Sequence, residues 1–313
     1  MKDFVVTGGA GFIGSKIVRK LISQGHRVAI VDNLKTGLRE NIAPEADFFE
    51  AGVENFEALE RLPQRPYHAV LHLAAQASGE ISHDDPIYDL ESNAKGTLNL
   101  LRFAHSRGIK RFLNASSMGV YGQVPEKENP VSELRPPNPL SFYGVTKTAG
   151  EGYCTYYKSQ GMKITSFRMF NVYGPGQNLD NMRQGMVSIY LAYILKNEPI
   201  IVKGSKNRFR DFIFVDDVVN AWMCAIDNPQ TFDKNYNIAT GRKTQVFQLI
   251  ESLLNVFGKD PKTYPVQFGE STPGDQTGIY ADISSYKKDT DWIPTVELEE
   301  GLKRLKKELL SGN

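Results

Sequence analysis

Cysteine is nearly absent: Cys154 and Cys224 are the only two in 313 residues. Two thiols far apart in sequence make neither a disulfide framework nor a metal-ligand spacing, so a reducing, cytoplasmic setting is expected and a metal site is not. An excess of one charge is also missing, since 37 Lys+Arg against 36 Asp+Glu leave +1. That balance argues against broad attraction to nucleic acid or to an anionic membrane. No stretch approaches the ~20 apolar residues of a membrane span. The opening MKDFVVTGG runs straight into a short apolar strand, without the long hydrophobic run of a secretory leader. Repeats, low-complexity tracts and charged tails are lacking too. A soluble chain that is 41% hydrophobic and 23% charged remains, with enough apolar content for one large domain or two modest ones.

Glycine is plentiful where it can do chemistry. After the strand pattern Phe4–Thr7 come GGAGFIG, the helical IVRKLISQG and the strand HRVAIVD, a βαβ unit. Gly8, Gly11 and Gly14 give the spacing G-x-x-G-x-x-G. The first permits a tight turn, the second lets a pyrophosphate approach the backbone, and the third lets helix and strand pack closely. Free N–H groups and the positive end of the helix dipole then face the phosphates. Asp32 ends the next strand, where a carboxylate accepts hydrogen bonds from the adenosine ribose and repels a 2′-phosphate. NAD is therefore favoured over NADP, although Lys35 nearby is a cation that could serve the phosphorylated form.

The alternation continues through ADFFEA, YHAVLHLAA, KRFLNASS and MKITSFRMFNVYG, with helical patterns near 55–61, 86–107 and 141–160. This spacing predicts a parallel sheet with helices on both faces and a ligand crevice beyond the carboxyl ends of the strands. AAQAS, SSMGVYG and FNVYGPG fall at those ends. From about residue 172 the elements shorten: IIVKG, RDFIFVDD, YNIAT and an amphipathic helix from about 296 predict a smaller C-terminal lobe over the crevice. The proline-bearing loop 122–140, with Glu126–Glu128, reads as a surface flap, either a connector or a lid.

In SFYGVTK, Tyr143 and Lys147 lie four apart and share one helix face. Taken alone, the pair could coat a surface, or the ammonium could lower the phenol's pKa so that it serves as a base near neutral pH. Gly144, Gly150 and Gly152 on that helix suggest close packing against the sheet or a partner helix.

TGGAGFIG, HLAAQAS, SSMGVYG, YGVTK, RMFNVYGPG, FRDFIFVDDV, YNIATG and WIPTVELEEGL occur in this order over nearly the whole chain. Together they resemble the extended short-chain dehydrogenase/reductase family, of the NAD-dependent epimerase/dehydratase type, in its UDP-glucose 4-epimerase branch. The resemblance implies an α/β fold: a Rossmann-type doubly wound parallel sheet over 1–171, receiving short segments from near 205–235, and a mixed α/β nucleotide-sugar lobe over 172–313. It implies a catalytic trio of Ser117, Tyr143 and Lys147, with Lys147 also holding the nicotinamide ribose. Near the cofactor's positive ring, a depression of the phenol's pKa by about one or two units is expected. The cofactor groove would further include Phe12, Ile13 and Asn33, then Leu73, Ala74 and Ala75 after the fourth strand, and Asn93. On the substrate side it implies Ser78, Asn171 and Arg210 around the sugar diphosphate, the backbone near Met186–Val187, Ile201 and Val202 beside the base, and Asp275 on the uridine ribose. Arg210 could equally form a surface ion pair with Asp211 or Asp216, and Asn171 and Asp275 could be turn residues.

Relatives that eliminate water across C5 and C6 have an Asp–Glu pair just after the serine position. Decarboxylating relatives have glutamate there, and those epimerising C3 or C5 use cysteine. Met118 and Gly119 stand here, and neither transfers a proton. The chemistry implied is reversible oxidation at C4 of a UDP-hexose of the glucose/galactose, N-acetylated or uronic series, with NAD retained. A net reductase or dehydrogenase is the competing enzyme, and an NAD-sensing binding protein the non-catalytic alternative. A homodimer is implied, through helices near 86–107 and 141–160. Three positions depart from the pattern. Thr272 stands where a second arginine is usual, so that either UDP binding is weaker or Arg208 or Lys206 substitutes. Ala51–Gly52 replaces Gly–Asp, leaving the Val53 backbone to meet the adenine. Ile279 replaces a bulky tyrosine, leaving room for a 2-acetamido group.

Overall fold

In the computed structural model, which describes residues 1–271 and 276–311, β1 (Asp3–Thr7) is buried along its whole length. Such continuous burial belongs to a strand covered on both faces. In chain order there follow β2 (Arg27–Asp32), β3 (Asp47–Glu50), β4 (Tyr67–His72), β5 (Arg111–Ser117), β6 (Lys163–Met169) and β7 (Asn171–Tyr173). Then come β8 (Ile200–Lys203), β9 (Phe209–Arg210), β10 (Phe212–Phe214), β11 (Lys234–Ile238), β12 (Thr244–Gln245) and β13 (Val266–Gly269). Seven of them form one parallel sheet in the order β11-β6-β5-β4-β1-β2-β3. The order reverses between β1 and β4, which opens the crevice where such sheets bind ligands. This is the Rossmann-type fold expected from the sequence.

YNIAT, assigned from sequence to the smaller lobe, is instead the outer strand β11 of the main sheet, in register with β6 from Lys234↔Thr165 to Ile238↔Met169. Its Tyr236 packs edge-on against Tyr286, whose ring also meets Phe167 and Trp292. The helix Val215–Ala225 lies beside the first helix, Phe12–Ser23, and buries Trp222 against Phe167. Residues 215–238 and Tyr286 therefore complete the sheet's core, while the helices Met186–Lys196, Val246–Val256 and Leu298–Ser311 form a second core with β8 and β10.

MKITSFRMFNVYG, expected as one strand, breaks at Phe170. The amide of Phe170 still bonds Ile238 O, whereas that of Asn171 bonds Asp211 O, so the backbone leaves the main sheet and β7 pairs with β10. Loop 122–140 is pinned down. Val131 N–H donates to Tyr280 O, Asp282 N–H to Val131 O, and Asn237 N–H to the Glu133 carboxylate at 2.8 Å. These bonds hold it against the ends of β6 and β11, and its last residue, Leu140, lines a groove described below.

Candidate active site

The chemistry-bearing segment begins where β5 ends. Ser117 caps a short 3-10 turn, Met118–Tyr121, its Oγ accepting from Gly119 N–H at 3.1 Å. Facing it, the helix Phe142–Ser159 is capped by Ser141, whose Oγ accepts from Gly144 N–H at 3.1 Å. Close packing of that helix needs glycine: a Cβ on Gly144 would lie 2.6 Å from Gly119 O. Gly150 abuts Thr97, but nothing lies within 4 Å of a Cβ on Gly152.

Tyr143 and Lys147 emerge from this helix on the same side. The Lys147 ammonium lies 5.8 Å from the Tyr143 ring centre and donates to Ala115 O at 3.0 Å. Burial pushes the Tyr143 phenol up to about 12, opposed by a hydrogen bond from Ser117, and the buried charge of Asp89 adds to the rise. Burial likewise drives Lys147 down to about 8, while Asp89 acts in the opposite direction. The expected depression of the phenol by its lysine is thus absent in the chain by itself. Desolvation of the phenolate dominates, and the ammonium is engaged on the Ala115 carbonyl.

Two grooves meet at Tyr143. One is lined by Gly8, Gly11, Phe12, Ile13 and Gly14 of the glycine turn, by Asp32 and Asn33, by Leu73–Ala75 and by Lys147. Gly8 has φ +70°, and a Cβ there would sit 2.6 Å from Ala74 N; one on Gly14 would sit 2.0 Å from Gly8 O. Asp32 is held by the amides of Ala10 (3.0 Å) and Leu34 (2.9 Å). Lys35 lies 3.4 Å over the Tyr88 ring. Tight glycines under a helix start, with a fixed carboxylate at the far end, fit a dinucleotide with an unphosphorylated ribose. Ala51, Gly52 and Val53 line the same end.

The second groove, about 450 Å³, is lined by Ser78, Ser117, Asn171, Met186, Val187, Ile201 and Arg210, together with Arg183, Gln184, Lys203, Arg208 and Gln276. Arg210 is buried, donating to Phe209 O (2.8 Å) and Gln276 O (2.6 Å). Asp211 is itself occupied by Thr240, Gly241 and Ala281. Asn171 donates to Asp211 O at 3.1 Å. Ser78 donates to Arg183 O at 2.7 Å and accepts from Ile81 N–H, capping the helix Gly79–Asp84.

The family model for "NAD dependent epimerase/dehydratase family" matches residues 4–239. The chain belongs to that family. A UDP-glucose 4-epimerase of Mycolicibacterium smegmatis is 33% identical over 307 residues, 95% of each chain. Among solved structures, UDP-glucose 4-epimerase of Thermotoga maritima with UDP-glucose is 37% identical, with a TM-score of 0.94 over 99% of both chains. The Thermus thermophilus UDP-glucose 4-epimerase in complex with NAD is 34% identical, with a TM-score of 0.91 over 99% of this chain and 100% of that one.

For this epimerase/dehydratase-family chain, three expected site residues are not where the sequence put them. Val202 is fully buried and lines no groove, because β8 alternates: Ile201 and Lys203 face outward, Ile200 and Val202 the core. Asn93 lies beneath the cofactor groove, donating to Gln76 O (3.0 Å), Asp89 Oδ1 (3.0 Å) and Thr146 Oγ1 (3.2 Å). Ile279 packs in the core with Val120, Tyr121, Phe170 and Ala281, outside the groove, so it makes no room for an acetamido group there. Asp275 and Thr272 lie outside the described residues. Sequence reasoning missed Lys203, which the same alternation would have found, and Arg183 and Gln184, whose loop carries no periodic signal.

Proposed function

We propose that the chain is a nucleotide-sugar 4-epimerase, inverting C4 of a UDP-hexose through a transient 4-keto sugar with NAD retained between turnovers. The observation that carries this reading is Tyr143, which borders both grooves, with Met118 and Gly119 beside it in place of a second acid or base. Bound in the glycine-floored groove, NAD supplies a hydride acceptor that is also the donor of the return step. Tyr143 takes the C4 hydroxyl proton and later returns it, with Ser117 sharing the oxygen. Lys147 would hold the nicotinamide ribose, and with NAD bound the positive charge there would help offset the burial that pushes the phenol up to about 12. Arg210, Arg208, Lys203 and Arg183 line the second groove and can balance a diphosphate, the arginines by paired hydrogen bonds.

The test is incubation of the purified protein with UDP-glucose, UDP-N-acetylglucosamine and UDP-glucuronate, with C4 stereochemistry read by NMR. Turnover without added NAD supports the reading. Net oxidation or reduction that consumes added cofactor would replace it with a dehydrogenase.

A homodimer belongs to the same proposal. Phe142, Val145 and Tyr156 are exposed on one stripe of the helix Phe142–Ser159, which also carries the open Gly152. Ile87 and Leu90 are exposed on the helix beside it. A second copy would cover both in a four-helix contact.

A further inference from the structure

Asp89 is completely buried, and among the described residues its three side-chain hydrogen-bond partners are all neutral. Oδ2 accepts from Thr146 Oγ1 at 2.6 Å; Oδ1 accepts from Gln76 Nε2 at 2.7 Å and from Asn93 Nδ2 at 3.0 Å. Each partner comes from a different part of the fold. Thr146 is on the helix that bears Tyr143 and Lys147, one residue before the lysine. Gln76 follows β4 and also holds Ser78 of the substrate groove, through its carbonyl at 2.8 Å and its amide. Asn93 lies in Leu90–Lys95, a π-wound segment inside the helical stretch that follows Pro86. Such segments are rare and occur preferentially at functional sites. A buried carboxylate that lacks a contacting cation is costly, and simple packing gives no reason to keep one.

We propose that Asp89 is a positioning residue for the Tyr143–Lys147 pair: its carboxylate ties the catalytic helix, the π-wound segment and the loop after β4 into one unit and sets a negative charge behind the pair. The inference rests on the reading of Tyr143 as the base. The charged and titratable groups around it are few. Tyr143 and Lys147 face it from the catalytic helix, and Tyr88, influenced by Glu54 and Asp85, precedes it on its own helix. His72 faces Lys147 from β4 but is held neutral by burial, at about 3. The Asp89 charge therefore raises both the phenol and the ammonium.

The geometry separates charge from position. In Asp89→Asn the amide oxygen can keep Gln76 and Asn93, while its NH₂ donates to Thr146 Oγ1. That hydroxyl is then free to donate to Tyr143 O, 3.1 Å away. Thr146→Val does the opposite, keeping the charge and cutting the tie. The full-length variants are compared with the parent by the pH profile of kcat/KM and by ultraviolet titration of the Tyr143 phenol, with Tyr143→Phe as the spectral blank. For Asp89→Asn, the whole bell should slide to lower pH, both limbs moving about half a unit or more, with the phenol titration following. A lower bell with unmoved limbs and an unmoved phenol would overturn the charge role. For Thr146→Val, kcat should fall about tenfold at unchanged KM; an unchanged kcat would overturn the positioning role, and this variant decides if Asp89→Asn does not fold. Full activity in Tyr143→Phe would sink the base assignment separately, because the phenol titration reads the Asp89 charge without any turnover.

Discussion

Tyr143 and Lys147 are pushed in opposite directions by one cause, since burial disfavours whichever form is charged. For Lys147 the sign is simple. Its folded value, about 8, lies below the ordinary 10.5, so between those values the unfolded chain binds more protons. Its contribution to stability should grow as pH rises through that window. On the proposed mechanism, turnover uses the ammonium and should respond oppositely, with kcat/KM falling above about pH 8. Stability that rises where activity falls, followed by denaturant melts and initial rates on the same samples, is the signature. Tyr143→Phe should lower kcat by about 10²–10⁴-fold with little change in the denaturation midpoint. His72 is a structural counterpart. Thr97 Oγ1 donates to Asn93 O and so accepts from His72 Nε2–H, while Nδ1 accepts from Thr7. A neutral, fully bonded imidazole with a value of about 3 should show no NMR titration between about pH 8 and 5.

At the scale of elements, the regular parts of the chain were legible because each is either a short apolar run bounded by turn residues or a helix with one periodic apolar face. The βαβ opening, the helix bearing Tyr143 and Lys147, and the terminal helix all occur where apolar spacing put them. Where periodicity is interrupted, legibility stops. Phe170 continues the apolar run of β6, and only a change of hydrogen-bond partner from Ile238 to Asp211 ends the strand. The Tyr143–Lys147 pair could be singled out from its spacing and Ser117 from the resemblance, whereas the Gln76–Asp89–Asn93–Thr146 cluster could not, because its members meet only in three dimensions. On β8, Ile201→Asp should weaken nucleotide-sugar binding and leave the melting temperature nearly unchanged. Val202→Asp should destabilise by more than about 3 kcal/mol, since it buries an unpaired charge in the second core. Equal melting temperatures for the two would contradict the strand's orientation.

Across the whole molecule, a cluster of ion pairs reaches from one lobe to the other. Glu80, on the sheet side, pairs with Lys203 of β8 at 2.6 Å and with Arg183 at 3.2 Å, and Arg183 also reaches Asp84. These pairs are partly exposed, so they are expected to shape salt dependence more than stability. The apolar stripe belongs to the same scale. Val145→Arg combined with Tyr156→Glu should convert a dimer to a monomer by sedimentation at micromolar concentration, while retaining the fold by circular dichroism. A parent protein that already sediments as a monomer would remove the dimer.

The pairing of β6 with β11 reaches across sixty-odd positions of intervening chain, most of which builds the other lobe. During synthesis, the amino-terminal half therefore leaves the ribosome with a naked row of backbone donors and acceptors along β6, and with Phe167 still waiting for Trp222. Severing the gene after codon 171 would freeze that vulnerable moment. Such a fragment should precipitate or bind chaperones, and adding the remainder as a separate polypeptide should rescue it by supplying the missing edge.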